Sequence, residues 1–211
     1  MIPTKEEWIQ ALNERHGMAF QEKISSTTVA VCGLGGLGSN IAIALARAGI
    51  GKLILIDFDK VDISNLHRQQ YKPCQIGMHK TEALQDILKE IHPYLETEIH
   101  TVRITEENAK KFLEDCDIIC EAFDNAECKA MLTNFVLEKM PDKYIVAASG
   151  MAGLASSNTI HARKVSKRFY LCGDEVSDAS DGIGLVSTRV MLCAAHQAHT
   201  VLRIIAEEYE V

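Results

Sequence analysis

Residues 29–40, VAVCGLGGLGSN, read as a strand, a glycine turn and the start of a helix. The apolar run ends in Gly33 and passes at once into a segment with helical spacing. Gly33, Gly35 and Gly38 fit the pattern GxGxxG, and Gly36 is an additional glycine. A turn this tight needs backbone without Cβ atoms. It leaves N–H groups free at a helix N-terminus, where they can approach an anion.

Outward from the turn, Leu37, Ile41, Leu45 and Ala48 share one helical face, and Gly49 ends the helix. KLILID (52–57) is a second buried strand, so the segment is a βαβ unit with a right-handed crossover. Asp57 closes that strand, 19 residues beyond Gly38. A carboxylate there accepts hydrogen bonds from ribose hydroxyls. This supports an adenosine ligand. The fingerprint does not separate NAD from ATP, and its commonest use is in dehydrogenases.

The alternation continues. A helix is expected through MHKTEALQDILKEIHP, with Leu84, Ile87, Leu88 and Ile91 as its apolar stripe. A strand follows over 96–104, then a helix over 105–115 opened by a capping pattern of Thr105 and Asn108. A central strand (117–124), a helix (125–140) and a strand (143–151) come next. These elements predict an α/β, Rossmann-like, doubly wound and mostly parallel sheet. Beyond Gly150, SNTIHARKV and KRFYLC read as additional antiparallel strands, and a long helix over about 184–208 closes the chain. Residues 1–211 are expected to form a single domain, with 1–24 as a short N-terminal helical arm.

The bulk composition fits that reading. The 211 residues are 47% hydrophobic and 24% charged, values typical of a soluble globular protein. The net charge of −7 argues against a nucleic-acid partner. The first residues lack a basic segment followed by an apolar run, and no apolar stretch approaches the roughly 18 residues of a membrane span. The cytoplasm is the expected location. Seven scattered cysteines without a CxxC pair predict neither a disulfide framework nor a structural zinc site. His196 and His199 have neither i, i+4 spacing nor a third ligand nearby, so no metal site is expected there.

The segment DFDKVDISNLHRQ (57–69) separates the two adenosine ligands. Hydride transfer calls for an open nicotinamide face with apolar walls, and no His–Asp or Tyr–Lys pair serves it. This segment instead offers Arg68, whose planar donors suit phosphate oxygens, and Asn65, which can position it. Lys80, at the start of the next helix, adds a second positive charge. Asp124 stands at the C-terminal end of the central strand, the edge where such sheets bind ligands. A carboxylate facing a polyphosphate requires a cation between them, and magnesium is the usual one.

GLGGLGSN, DFDKVDISNLHRQ, IGMHKTEAL and FDN, in this order, resemble the adenylating domain of the ubiquitin-activating-enzyme-like superfamily. The likeness is strongest to its ThiF/MoeB/HesA family, and there to the short form of the thiamine pathway. It is strong over about residues 10–150 and looser beyond. The resemblance implies ATP-dependent adenylation of the C-terminal Gly-Gly carboxylate of a small ubiquitin-like sulfur-carrier protein, with release of pyrophosphate. Adenylation of another carboxylate, on a peptide or a modified tRNA base, is the alternative within the class; a binding module without catalysis and an NAD-dependent oxidoreductase are the others.

By the same resemblance, Gly33, Gly35 and Gly36 hold phosphate and Asp57 holds ribose. Ser64, Asn65 and Arg68 lie on the nucleotide loop, Lys80 is the phosphate-binding lysine, and Asp124, beside Asn125, is the Mg2+-linked aspartate. The family works as homodimers in which an arginine of one arm reaches the partner's ATP, and Arg15 is the candidate. Many relatives carry two zinc-binding CxxC pairs, which this chain lacks, so zinc is not carried over. Others join the carrier through a cysteine. Cys172 lies in the corresponding part of the chain, although Asp174 and Glu175 nearby would raise its pKa.

Overall fold

The computed structural model describes residues 2–180 and 182–211. Strands β1 (Thr28–Cys32), β2 (Lys52–Ile56), β3 (Glu96–His100), β4 (Ile118–Glu121), β5 (Tyr144–Ala148), β6 (His161–Ser166) and β7 (Phe169–Gly173) join in one sheet. Their order is β3-β2-β1-β4-β5-β7-β6. The helices are α1 (Lys5–His16), α2 (Met18–Ser26), α3 (Gly36–Ala48), α4 (Lys80–Ile91), α5 (Ala109–Leu113), α6 (Ala126–Lys139) and α7 (Ser187–Ile205).

The glycine-turn unit forms as its pattern dictates. β1 and β2 run parallel with Val29 beside Leu53, and both strands are buried on both faces. Such burial requires near-continuous apolar runs, which VAVC and LILI supply. β1 has β2 on one side and β4 on the other, also parallel, with Val29 beside Ile118. The strand order therefore reverses at β1, and a crevice opens above the C-terminal ends of β1 and β4.

Helices cover both faces. Ile41 and Leu45 of α3, Leu84 and Leu88 of α4, and Val190 and Val201 of α7 pack on one side with Val29 and Leu53. Leu113 of α5 and Leu132, Val136 and Met140 of α6 pack on the other with Ala30 and Ile119.

Two expectations change in detail. β6 and β7 are antiparallel to each other, with a bulge between Lys164 and Ser166, but β7 runs parallel to β5, with Ile145 beside Phe169. The later strand takes the inner position because Tyr170 and Cys172 can be buried. β6, with Arg163 and Lys164, suits an exposed edge. The predicted 105–115 helix begins only at Ala109. The Thr105 amide does donate to Asn108 Oδ1 at 2.8 Å, but its hydroxyl turns to Glu107, so the capping pattern is only half made.

The N-terminal arm comprises two helices. Trp8 of α1 packs against His92 at the end of α4, with ring centroids 5.0 Å apart and the ring planes tilted by 51°. Gln21 of α2 is buried and donates to the carbonyl of Gly49, which follows α3. Both anchors lie at the N-terminal edge of the strands, a full α3 length, about 19 Å, from the glycine turn.

Candidate active site

At the reversal point the chain encloses a cavity of about 740 Å³. Its floor is the glycine turn. Gly33 has φ +91°, and a Cβ there would stand 2.7 Å from the Ala122 carbonyl oxygen. A Cβ on Gly38 would meet the Gly33 carbonyl oxygen at 1.8 Å. Only glycine lets α3 start this close to β1 and β4.

Asp57 braces the turn. Its Oδ2 accepts from the Leu34 amide at 2.6 Å and its Oδ1 from the Asp59 amide at 2.7 Å. Burial pushes this carboxyl above the usual aspartate range, against the opposing pull of Lys80 and the two amides. Lys80 begins α4 and is itself buried. Its Nζ lies 2.8 Å from Asp59 Oδ2 and 4.0 Å from Asp57 Oδ2.

The 57–69 segment folds into a short 3-10 turn over Ile63–Asn65. The Asp62 amide donates to Asn65 Oδ1 at 3.2 Å. Arg68 extends from that turn across the glycines, since a Cβ on Gly36 would stand 3.4 Å from Arg68 Cγ. One end of its guanidinium donates to the Ser64 carbonyl at 3.3 Å, while its Nε is buried with no partner among the described residues. Asn125 caps α6 by accepting from the Cys128 amide at 3.0 Å. That arrangement leaves the neighbouring Asp124 exposed on the cavity wall.

Of the residues singled out in the sequence, Gly33, Gly35, Gly36, Asp57, Asn65, Arg68, Lys80, Asp124 and Asn125 share this cavity. Ser64 does not line it. Its hydroxyl donates to Asp62 Oδ1 at 2.6 Å, so it shapes the turn that aims Arg68. Arg15 is exposed at the end of α1, on the edge remote from this chain's own cavity.

Cys172 requires a correction. Its side chain is fully buried, and burial pushes the thiol up to about 12. Its Sγ lies 3.9 Å from Thr200 Oγ1 of α7. A thiol sealed between β7 and α7 presents no nucleophile to a carrier.

The sequence reading passed over three contributors. Asp59 lies in the quoted DFD run and holds Lys80. Gln69 is also in the quoted segment; it is buried on the cavity wall, and its Oε1 has no partner among the described residues. Lys129 reaches from α6 to both oxygens of buried Glu121, at 3.0 and 3.1 Å, and to the Ala148 carbonyl at 3.0 Å. It ties the ends of β4 and β5 together beneath the cavity. Nothing in the local pattern of Lys129 marks that role.

A glycine floor, a bracing acid, and an arginine, a lysine and an aspartate around one cavity invite comparison with known proteins. The sequence pattern of the ThiF family matches residues 9–211. The chain belongs to the ThiF family. It is 38% identical over 127 residues to adenylyltransferase and sulfurtransferase MOCS3 of Aedes aegypti, covering 59% of this chain and 29% of that protein. It is 50% identical over 84 residues to ubiquitin-like modifier-activating enzyme 5 of Caenorhabditis elegans, covering 40% of this chain and 20% of that one. The match therefore spans less than a third of either relative. The fold is similar to that of tRNA N6-threonylcarbamoyladenosine dehydratase, TcdA, of E. coli, solved in complex with AMP. The TM-score is 0.85 at 20% identity, over 99% of this chain and 98% of that one. This likeness establishes the ThiF-family chain as an α/β protein of the TcdA architecture.

Proposed function

We propose that this ThiF-family protein is an ATP-dependent adenylyltransferase that activates the C-terminal Gly-Gly carboxylate of a small ubiquitin-like sulfur-carrier protein, in formation of the thiamine thiazole. The observation that carries the proposal is that Arg68, Lys80 and Asp124 line one cavity with the glycine turn and Asp57. Hydride transfer to a nicotinamide has no use for a guanidinium and an ammonium at that position. The naming of MOCS3 as an adenylyltransferase and of enzyme 5 as an activator of a ubiquitin-like modifier supports the same chemistry.

The reaction follows from the residues. Asp57 accepts from the ribose hydroxyls, and the amides of the glycine turn take phosphate oxygens. The acceptor carboxylate attacks the α-phosphorus; an acyl-adenylate forms and pyrophosphate leaves. Arg68 and Lys80 stabilise the charge that grows on the phosphoryl oxygens. Holding two anions in line and screening their repulsion is most of the catalytic task. Asp124, exposed and freed from capping by Asn125, fits the single carboxylate through which a magnesium ion bound to nucleotide phosphates is usually held, and that ion would supply further charge neutralisation. The protein acts as a homodimer. Arg15, exposed at the end of α1, is the candidate to reach the partner's nucleotide.

A modified tRNA base is the second reading, favoured by the likeness to TcdA over the full chain. Against it stands the net charge of −7, which disfavours a polyanionic partner. Among the described residues no helix is long and apolar enough to cross a membrane.

Exchange of labelled pyrophosphate into ATP tests the proposal. Exchange is expected only when a carrier ending in Gly-Gly is added. Exchange with threonylcarbamoylated tRNA alone supports the second reading, and tight NADH binding without exchange overturns both.

A further inference from the structure

One wall of the cavity lies across from Asp57. It is built from Ser149–Ala152, which follow β5, and from Ser177–Ala179. Because β2 and β5 flank the reversal point on opposite sides, this wall stands away from Asp57, and on the adenylation reading it is the side left for the acceptor. Neither segment belongs to a helix or strand of the sheet. Backbone contacts join them: the Glu175 amide donates to the Ser149 carbonyl at 3.0 Å, and the Gly153 amide to the Gly184 carbonyl at 2.7 Å.

At the centre of these segments is a buried ion pair. Arg189, in the first turn of α7, pairs with Asp174 through Nη2 and Oδ2. The two side chains are 4% and 8% exposed. Arg189 Nη1 donates to the carbonyls of Ala155 and Ser156 at 2.7 and 2.9 Å. The second oxygen of Asp174 accepts from the amides of Val176 and Ser177 and from the Ser177 hydroxyl, at 2.9–3.0 Å. The Ser177 hydroxyl in turn accepts from the Ala152 amide at 2.9 Å. An unbroken polar chain thus runs from α7 through Asp174 and Ser177 to Ala152, and its last two members line the cavity. Gly150 completes the fit, because a Cβ there would stand 2.1 Å from Asp174 Oδ1.

A buried ion pair is a poor device for stability alone, since apolar side chains of the same volume serve as well or better. A forked cation and a two-oxygen acceptor can, however, hold three irregular segments at fixed separations. We propose that Arg189 and Asp174 are positioning residues for the acceptor, fixing the wall along which its carboxyl-bearing chain lies while leaving the nucleotide half untouched. The proposal rests on the adenylation reading above. The nucleotide half has its own supports, Asp57, Asp59 and the glycine turn, so the two halves should respond separately.

The test compares wild type with Asp174→Asn, Arg189→Lys and the milder Ser177→Ala. MgATP affinity is measured by calorimetry, and pyrophosphate exchange with a Gly-Gly-ended sulfur carrier. The expected result is a rise in acceptor KM of roughly tenfold, the loss one charge-assisted hydrogen bond transmits, with ATP affinity and kcat changed by less than about twofold. An unchanged acceptor KM in the folded variants, or ATP affinity lost by the same factor, overturns the proposal. If wild type shows no exchange with any carrier, the adenylation reading fails instead. Amide hydrogen exchange then decides the clamp: selective loss of protection at Ala152 and Ser177 in Ser177→Ala upholds it, and wild-type protection there overturns it.

Discussion

The Lys80 ammonium is bound to the Asp59 carboxylate at 2.8 Å, with both side chains on the cavity wall. A polyphosphate must draw this cation away from a carboxylate. If the protein adenylates as proposed, the pair has Lys80 act late, when charge on the phosphoryl oxygens outweighs that of Asp59. Lys80→Met is expected to lower kcat for exchange by roughly a hundredfold or more, the usual effect of removing one preorganised charge donor. Single-turnover kinetics with saturating ATP measure it.

Asp124 and Asn125 are neighbours with separable roles. Asn125→Ala removes a helix cap and is expected to lower stability by about 1 kcal/mol. Asp124→Ala, at an exposed position, should move stability by no more than about 0.5 kcal/mol and abolish exchange. Urea denaturation and the exchange assay, run on both variants, separate the two effects.

The seven cysteines divide by exposure. Cys74 is exposed and Cys128 half-buried on the cavity wall, while the other five are buried. In the native protein at pH 8, a thiol reagent is expected to label Cys74 and Cys128 alone. MgATP should slow the reaction at Cys128 and leave Cys74 unaffected. Cys172→Ser should retain exchange activity. Peptide mapping of the labelled protein reads the first two outcomes.

The Asp57 carboxyl titrates above its ordinary value of 3.8, chiefly because it is buried. A raised folded pKa means that the folded state binds the proton more tightly. Its contribution to stability is therefore present at low pH and lost as pH rises from 3.8 through the folded value. Nucleotide affinity has the opposite slope, because the ribose hydroxyls need the ionised carboxylate. ATP binding is expected to weaken on acidification, starting at a higher pH than a free aspartate would dictate. Asp57→Asn should bind ATP weakly with that pH dependence removed, as calorimetry across pH 4–7 would report.

The sheet was legible where one residue pattern answers one physical need. VAVC and LILI can only be doubly buried strands, and the 33–38 glycines permit only a tight turn. The loop residues were legible because they cluster within a dozen positions of Asp57. The placement of β7 inside β6 was not, since both strands read as a local antiparallel pair and the choice depends on which buries Tyr170. The burial of Cys172 was not legible, because the local sequence does not say which face of β7 the α7 helix will cover. Lys129 with Glu121, and Arg189 with Asp174, are partners across 8 and 15 residues. Nothing local distinguishes such side chains from solvated ones.

The acids that hold Lys80 also bear on which anions the crevice accepts. Orthophosphate and sulfate abound around any enzyme, and an unguarded ammonium on a glycine turn would collect them. Here such a small ion would have to compete with Asp59 and lie near Asp57 without a sugar to engage the latter. On that proposal, a ligand that brings its own ribose gains contacts at Asp57 that a small ion lacks. On the adenylation proposal the two carboxylates act as a filter, favouring a nucleotide over smaller anions at Lys80.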